Sequence, residues 1–414
     1  MEDKLSEVKK ILSKYNQEHL IQFYSELTEK QKSDLLNQIL KIDFEEILNL
    51  YEESKLEVLN STENIEPLDY SIKADFTKSE KKQLTSLGIK AIKSGKVGVI
   101  TLAGGQGSRL GFSGPKGTFS LETTPRKSLF EIVCDYLKRY ATKYKVNIPW
   151  YIMTSTNNYF DTISFFEQNN FFEYGRNNII FFVQDNMPIV DTNGKLVLSE
   201  IYKVNLASNG NGNLFSALKK SNLIKDMEQK KLQWLFVCGI DNVLLDPLDP
   251  IFIGYTINSK CEIGSKTLFK ENPADISWIF ARKNKKPAIA DCENFTEEIS
   301  KLTDSKGKYL YREKNMLAHI FSLKAITKMA NIKFPYHRAF RKNAFVNFEG
   351  MKEVPEKPNI YKFEQFVFDS FSYFNNIALL RVNADEEFAP IKDFRSIYNP
   401  EIAAKRYEEL ILNM

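Results

Sequence analysis

The chain has 414 residues, 43% of them hydrophobic, enough for two or three domains with sizeable cores. Its 57 basic and 53 acidic side chains leave a net charge of +4, a near-balance that argues against nucleic acid or an anionic membrane as partner. No apolar stretch approaches the ~18 residues of a membrane span, and Met1-Glu-Asp-Lys-Leu-Ser-Glu7 lacks the basic and apolar regions of a secretory leader, so a cytoplasmic protein is expected.

Residues 1–95 read as a helical N-terminal region. Leu5, Val8, Ile11, Leu12 and Tyr15 recur at helical spacing. Leu35, Leu36, Ile39 and Leu40 repeat the pattern after Thr28-Glu-Lys-Gln31, which fits a capping box. These amphipathic faces either pack on the protein's own body or dock a partner. Ser61–Phe76 is polar, carries Pro67 and reads as a linker; a helix from Ser79 to Ser94 then ends at Gly95, a C-cap residue.

From Lys96 apolar runs alternate with amphipathic helices: Val97–Leu102, helix Ser128–Tyr144, Trp150–Thr154, helix Tyr159–Asn169, Ile179–Val183, helix Gly212–Ser221 and Trp234–Cys238. This alternation predicts an α/β fold with a mixed, mainly parallel sheet flanked by helices. After Asp246 the order becomes irregular, with strands expected near Cys261–Phe269, Ser277–Arg282 and Ala288–Ala290 as an inserted or edge region able to cover a ligand. The expected division is 1–95 as the helical region, 96–389 as the catalytic domain and 390–414 as a short C-terminal region ending in a helix, Glu401–Leu412.

The first apolar run delivers Leu102-Ala-Gly104-Gly105-Gln-Gly-Ser-Arg109-Leu-Gly111, followed by Phe112-Ser-Gly-Pro-Lys116-Gly. Glycines let successive backbone amides converge on an anion, while Arg109 and Lys116 add positive charge, so the loop reads as a phosphate cradle. It is not a Walker loop, because Lys116 precedes Gly117 where that motif needs a hydroxyl. Nor is it a dinucleotide fingerprint, since the third glycine falls one residue late and Pro115 forbids an immediate helix. Gly-Gly-x-Gly-Ser-Arg-Leu with a lysine five residues beyond Gly111 resembles the signature of nucleotide-sugar pyrophosphorylases.

Three later segments reach the same end of the expected sheet. Phe181-Phe-Val-Gln184 ends in an amide that reads a base edge or caps its strand. Ser208-Asn-Gly210-Asn211-Gly212-Asn213 opens a helix, and is either a second cradle for the nucleotide or a plain turn. Phe236-Val-Cys-Gly-Ile-Asp241-Asn242 presents a carboxylate that can hold Mg2+ against triphosphate oxygens. Cys134, Cys238, Cys261 and Cys292 form no Cys-x-x-Cys pair and only His19, His319 and His337 are present, which points away from zinc and toward reduced thiols.

Taken in order, these blocks together with Ile148-Pro-Trp-Tyr-Ile-Met-Thr-Ser155, Asn315 with His319, Lys362–Asp369 and Phe388-Ala-Pro-Ile-Lys392 resemble the eukaryotic UDP-N-acetylglucosamine pyrophosphorylase family over roughly Lys96 to Asp393. The resemblance implies a GT-A-like, Rossmann-like nucleotidyltransferase that uses Mg2+ to convert UTP and N-acetylglucosamine 1-phosphate into UDP-N-acetylglucosamine and pyrophosphate. It further implies that Leu102, Gly104 and Gly105 line the nucleotide, Arg109 and Lys116 hold the triphosphate, and Gln184, Gly210 and Asn211 meet the uracil. Asp241 would face the metal, Lys392 the phosphate bridge, and Asp291, Asn315, Phe366 and Phe368 the sugar. The two rings would flank an acetyl methyl or else simply pack in the core.

Three positions depart from the family pattern: Asp291 stands where glutamate is usual, Asp185 where glycine is expected, and Asn209 where aspartate is usual. These leave glucose, galactose or N-acetylgalactosamine 1-phosphate as alternative substrates. A catalytically silent nucleotide-sugar binding protein is the alternative of another class.

Overall fold

A computed structural model describes residues 1–55, 65–271, 278–291 and 301–412. Within it the chain forms two compact units, each assembled from separated segments: residues 1–60, 185–213 and 334–366 in one, residues 61–184, 214–333 and 367–414 in the other. The sequence had suggested linear boundaries at 95/96 and 389/390. The observed grouping instead follows strand pairing, because residues 65–95 are hydrogen-bonded and packed into the larger unit.

The smaller unit begins with three helices, α1 (Glu2–Lys14), α2 (Glu29–Ile39) and α3 (Phe44–Lys55). The α2 N-terminus carries the expected capping box, with Thr28 and Gln31 satisfying each other's backbone amides. The amphipathic faces are used internally: Val8, Leu12, Leu35, Leu36, Ile39, Ile47 and Tyr51 pack with Val190, Leu196, Leu198, Val204 and Phe363. Burial of such side chains contributes roughly 1.5–3 kcal/mol each. The buried Gln17 amide stitches helix to loop, donating to the Gly194 carbonyl at 3.0 Å and accepting from Leu196 N–H at 2.9 Å.

The larger unit is built on an 11-stranded sheet. Its strands are β1 (Ile65–Pro67), β2 (Ser71–Ile72), β3 (Val97–Leu102), β4 (Trp150–Thr154), β5 (Ile179–Val183), β6 (Trp234–Gly239), β7 (Ile263–Phe269), β8 (Trp278–Lys283), β9 (Lys286–Asp291), β10 (Glu313–Ser322) and β11 (Ala378–Arg381). The main path runs β2-β11-β7-β10-β6-β3-β4-β5, with β8 beside β10 and carrying β1 and β9. Pairs β6–β3, β3–β4, β4–β5, β7–β11 and β2–β11 are parallel, while β10 runs antiparallel to both β6 and β7. The expected mixed, mainly parallel α/β sheet is therefore present. The supposed linker Ser61–Phe76 contributes β1 and β2, whose backbone groups pair with β8 and β11.

All residues of β3 and β4 are buried, as expected of a parallel strand covered on both faces. Helix α4 (Lys78–Lys93) starts at a Thr77–Glu80 capping box and stops before Gly95, whose φ is +65°. Helix α5 (Leu129–Tyr144) is capped by Ser128, whose hydroxyl accepts from Glu131 N–H at 3.1 Å. It buries Phe130, which meets Trp150 and Phe166 edge-on in a shared aromatic cluster. After α6 (Tyr159–Gln168), α7 (Leu214–Lys220) and α8 (Leu223–Gln229), α9 (Pro250–Asn258) begins at Asp249, which accepts from Ile251 and Phe252 N–H, with Pro250 at the first helical position.

Candidate active site

The carboxyl ends of β3, β4, β5 and β6 all point one way, and ligands of such sheets bind beyond that end. Strand β3 releases the glycine loop, and its neighbour β6, in register at Leu102 opposite Gly239, releases Asp241. Adjacency of the two strands therefore brings a cationic loop and a carboxylate together although 125 residues separate Lys116 from Asp241.

The loop is closed on itself by Gly107 N–H to the Gly114 carbonyl at 2.9 Å and Lys116 N–H to the Gly105 carbonyl at 3.0 Å. Asn158, fully buried, holds it from below: its amide donates to the carbonyls of Ala103 (2.9 Å) and Gly105 (3.3 Å) and accepts from Ser155 N–H (2.8 Å). Gly104 has a steric reason to be glycine, since a Cβ there would lie 2.2 Å from Gln184 Nε2. A Cβ on Gly105 would meet nothing within 4 Å, leaving that face of the loop open. Gln184 is thereby placed against the glycine loop, and its N–H is bound by the Thr154 carbonyl at 2.9 Å.

Lys116 Nζ lies 3.3 Å from Asp241 Oδ2, with the carboxylate about a third exposed. Lys392 is brought to the same place by its backbone. Ile391 N–H donates to the Asp241 carbonyl at 3.0 Å, Ala389 N–H to Asn242 Oδ1 at 2.9 Å, and Asn242 Nδ2 to the Glu387 carbonyl at 2.8 Å. The Lys392 ammonium is exposed and lies 5.0 Å from the Tyr398 ring centroid. Arg109, also exposed, sits in a one-turn 3-10 helix, Ser108–Leu110. Backbone amides of Arg395 and Ser396 hold the Asp393 carboxyl below its ordinary value, and the Arg109 guanidinium acts in the same direction. Edge-on contacts from Phe112 to Phe119 and from Phe119 to Phe394 tie the two segments together.

The residues expected at the sugar come from several separate elements. Asn315 lies on β10, where its carboxamide accepts from Leu317 N–H at 2.9 Å and Leu317 adopts a φ of +54°. Gly239 packs there, since a Cβ on it would come within 3.2 Å of Leu317 and 2.9 Å of Asp241 Oδ1. Asp291 is the last residue of β9, in register with Trp278. Phe368 is 5% exposed and packs on Trp278 with ring centroids 4.9 Å apart. Cys292 lies outside the described residues.

Gly210, Asn211 and Phe366 belong to the smaller unit. Gly210 has a φ of +93°, and Cβ atoms on Gly210 and Gly212 would meet the Gln365 and Phe366 backbones at 2.2 and 2.6 Å. The glycines of this second loop are thus demanded by close approach of another main chain, a reason invisible in the local motif. Asp185 is bound into the same loop, its N–H donating to Asn213 Oδ1 at 2.7 Å and its carboxylate accepting from Asn213 Nδ2 at 3.0 Å. Phe366 stacks obliquely on His337, centroids 5.0 Å apart.

Sequence reasoning passed over Asn158, a buried amide that holds the glycine loop; its only signal is position, just beyond the polar end of a central strand. Asn242, read with Asp241 as an amide at the end of its strand, holds the segment that leads to Lys392. Asp241 is a single carboxylate, and among the described residues no group of three or more His, Cys, Asp or Glu is placed to hold a metal. One carboxylate about a third exposed to solvent fits an ion such as Mg2+ that takes most of its ligands from phosphate and water. Among the same residues no helix is long and apolar enough to cross a membrane.

The family model for UTP–glucose-1-phosphate uridylyltransferase matches residues 43–401. The chain is 30% identical over 429 aligned positions to UDP-N-acetylglucosamine pyrophosphorylase of Saccharomyces cerevisiae, with 98% of this chain and 90% of that protein covered. It is 30% identical over 409 positions to human UDP-N-acetylhexosamine pyrophosphorylase-like protein 1, with 94% and 80% covered. The crystal structure of the Trypanosoma brucei uridine diphosphate N-acetylglucosamine pyrophosphorylase in complex with an inhibitor is similar with a TM-score of 0.81 and 25% identity, covering 98% of this chain and 84% of that one.

Proposed function

The chain belongs to the UTP–glucose-1-phosphate uridylyltransferase family, and from that premise we propose that it joins UTP to N-acetylglucosamine 1-phosphate, forming UDP-N-acetylglucosamine and pyrophosphate. The observation that carries this reading is the convergence of Lys116, Asp241 and the Lys392 segment beside the open glycine loop. The choice of sugar rests on relatives named for N-acetylglucosamine over nearly the full chain.

An oxygen of the sugar phosphate attacks the UTP α-phosphorus, a new P–O bond forms, and the bond to the β-phosphate oxygen breaks with its electron pair leaving on pyrophosphate. The attacking oxygen is already ionised near neutral pH, so no general base is required and catalysis reduces to alignment and charge neutralisation. Backbone amides of the Leu102–Gly105 segment receive the nucleotide, with Arg109 and Lys116 on its triphosphate. Gln184, Gly210 and Asn211 are assigned to the uracil, and Asp291, Asn315, Phe366 and Phe368 to the sugar. Lys392 screens the repulsion between the two phosphates. Asp241 would hold Mg2+, which supplies further neutralisation of the phosphate oxygens when bound.

Glucose 1-phosphate is the second reading, favoured by the name of the matching family and by the burial of Phe368 against Trp278. A panel of sugar 1-phosphates with UTP and magnesium, read by pyrophosphate release, tests both. N-acetylglucosamine 1-phosphate is expected to give the highest kcat/KM; faster turnover of glucose 1-phosphate overturns the sugar assignment. Nucleotide-sugar binding with no pyrophosphate release from any pair would mark a silent binding protein.

A further inference from the structure

In the larger unit four charged side chains close into a ring, with Asp249, Lys266 and Glu387 buried and Lys73 about a quarter exposed. Lys266 on β7 is fully buried and its ammonium donates to Asp249 Oδ2 at 2.9 Å and to Glu387 Oε2. Lys73, just after β2, donates to the same two carboxylates, at 2.8 Å to Asp249 and 2.6 Å to Glu387. Each lysine bridges both acids and each acid receives both lysines, so two positive and two negative charges balance. The carboxylates hold both lysines in their charged form despite desolvation, and the lysines hold Asp249 well below the usual carboxylate range.

A buried ionic ring is weak evidence for stability, because apolar side chains of the same volume stabilise equally well; what it adds is direction. Here the direction leads to the catalytic segment. Asp249 caps α9 through its other oxygen. Glu387 is the residue from which the chain departs toward Lys392, and its own carbonyl accepts from Asn242, next to Asp241. From Glu387 onward Ala389 and Ile391 are hydrogen-bonded to Asn242 and Asp241. One end of this strap is therefore held by the ring and its length by the loop that carries the metal-facing carboxylate.

We infer that Lys266 and Glu387 are positioning residues: the Lys73–Asp249–Lys266–Glu387 ring sets the register of the Glu387–Lys392 strap against Asp241, and so places the Lys392 ammonium. The link to catalysis rests on the uridylyltransferase reading, whereas the link to strap geometry does not.

Three variants test it: Glu387→Gln, Lys266→Met, and the double Lys266→Met/Glu387→Leu, which leaves the neutral Lys73–Asp249 pair. The single variants are expected to lose thermal stability, since each leaves an unbalanced buried charge. The double variant is expected to recover the melting temperature yet keep kcat about tenfold to a hundredfold low, the scale of a small misplacement of a reacting group, with KM for UTP within about twofold of wild type. Its Ala389 and Ile391 amides are expected to exchange with solvent faster than in wild type. Recovery of wild-type kcat together with stability, or unchanged exchange at both amides, would overturn the inference. If the wild-type protein released no pyrophosphate with any sugar phosphate, the functional reading would fail, and amide exchange in Glu387→Gln and the double variant would still decide the strap.

Discussion

Lys116 and Asp241 neutralise each other 3.3 Å apart, so in the proposed reaction each exchanges that partner when a triphosphate arrives. Arg109 and Lys392 are exposed, and the Lys392 ammonium rests 5.0 Å from the Tyr398 ring centroid, so both are open to an incoming phosphate. Arg109→Ala is expected to lower kcat by about 10²-fold, the scale of a lost transition-state electrostatic contact; a near-normal kcat would remove Arg109 from catalysis. Lys392→Ala is expected to lower kcat while UTP affinity, measured by calorimetry, stays near wild type, and a loss confined to UTP binding would contradict its place at the phosphate bridge. Arg109 and Lys116 were legible in the sequence because glycine spacing and a flanking lysine are local features, whereas Lys392 was singled out only by the family resemblance. Asn158 and Lys266 were not, because a polar residue inside an apolar stretch acquires its meaning only from the partner that folding brings to it. Lys266, in Ile263-Gly-Ser-Lys-Thr-Leu-Phe269, carried the stronger signal: a buried lysine requires buried acid.

At the scale of elements, the cap of α2 and the stop of α4 at Gly95 were readable because they depend on residues within one turn. The approach of α4 to α9 was not readable. Gly88 and Gly254 lie where the helices touch, and Cβ atoms there would come within 2.0 Å of the Pro250 carbonyl oxygen and 1.8 Å of the Leu84 carbonyl oxygen. Backbone cannot yield as a flexible side chain can, so Gly254→Ala has to push the helices apart. Its expected cost is about 1–3 kcal/mol, as for other overpacked cores. A lowered melting temperature with unchanged kcat per folded molecule is expected; an unchanged melting temperature would show that the helices part freely. Strand β10 was missed for a related reason. It enters antiparallel between β6 and β7, and the alternation of strands and helices from which a parallel sheet was inferred contains no sign of a strand returning through the middle.

At the scale of the whole molecule, stability should depend on acid through its buried histidines. His319 is fully buried, its Nδ1 2.8 Å from Ser265 Oγ, and burial pushes its pKa from 6.5 to about 3. Burial lowers the pKa of His19 as well. The unfolded chain therefore binds protons that the folded protein refuses: the stability is whole above pH 6.5 and declines as pH falls toward the folded value. For His319 the slope reaches about 1.4 kcal/mol per pH unit. Denaturant unfolding between pH 7 and pH 4 should show this decline, less steep in His319→Asn; a flat profile in the wild type would refute it. The α/β class, the glycine loop after the first strand and the two cations on it were set by the sequence alone, because glycine spacing, apolar periodicity and capping act between near neighbours. Folding decided that Ile65–Pro67 and Ser71–Ile72 join the sheet, that Gly210 and Gly212 are pressed against Gln365 and Phe366, and that Lys73, Asp249, Lys266 and Glu387 close into a ring of charges at the start of the segment leading to Lys392. Each of these depends on main chain or charge brought together from segments far apart in sequence, where strand pairing and the cost of burying an unpaired charge choose the partner.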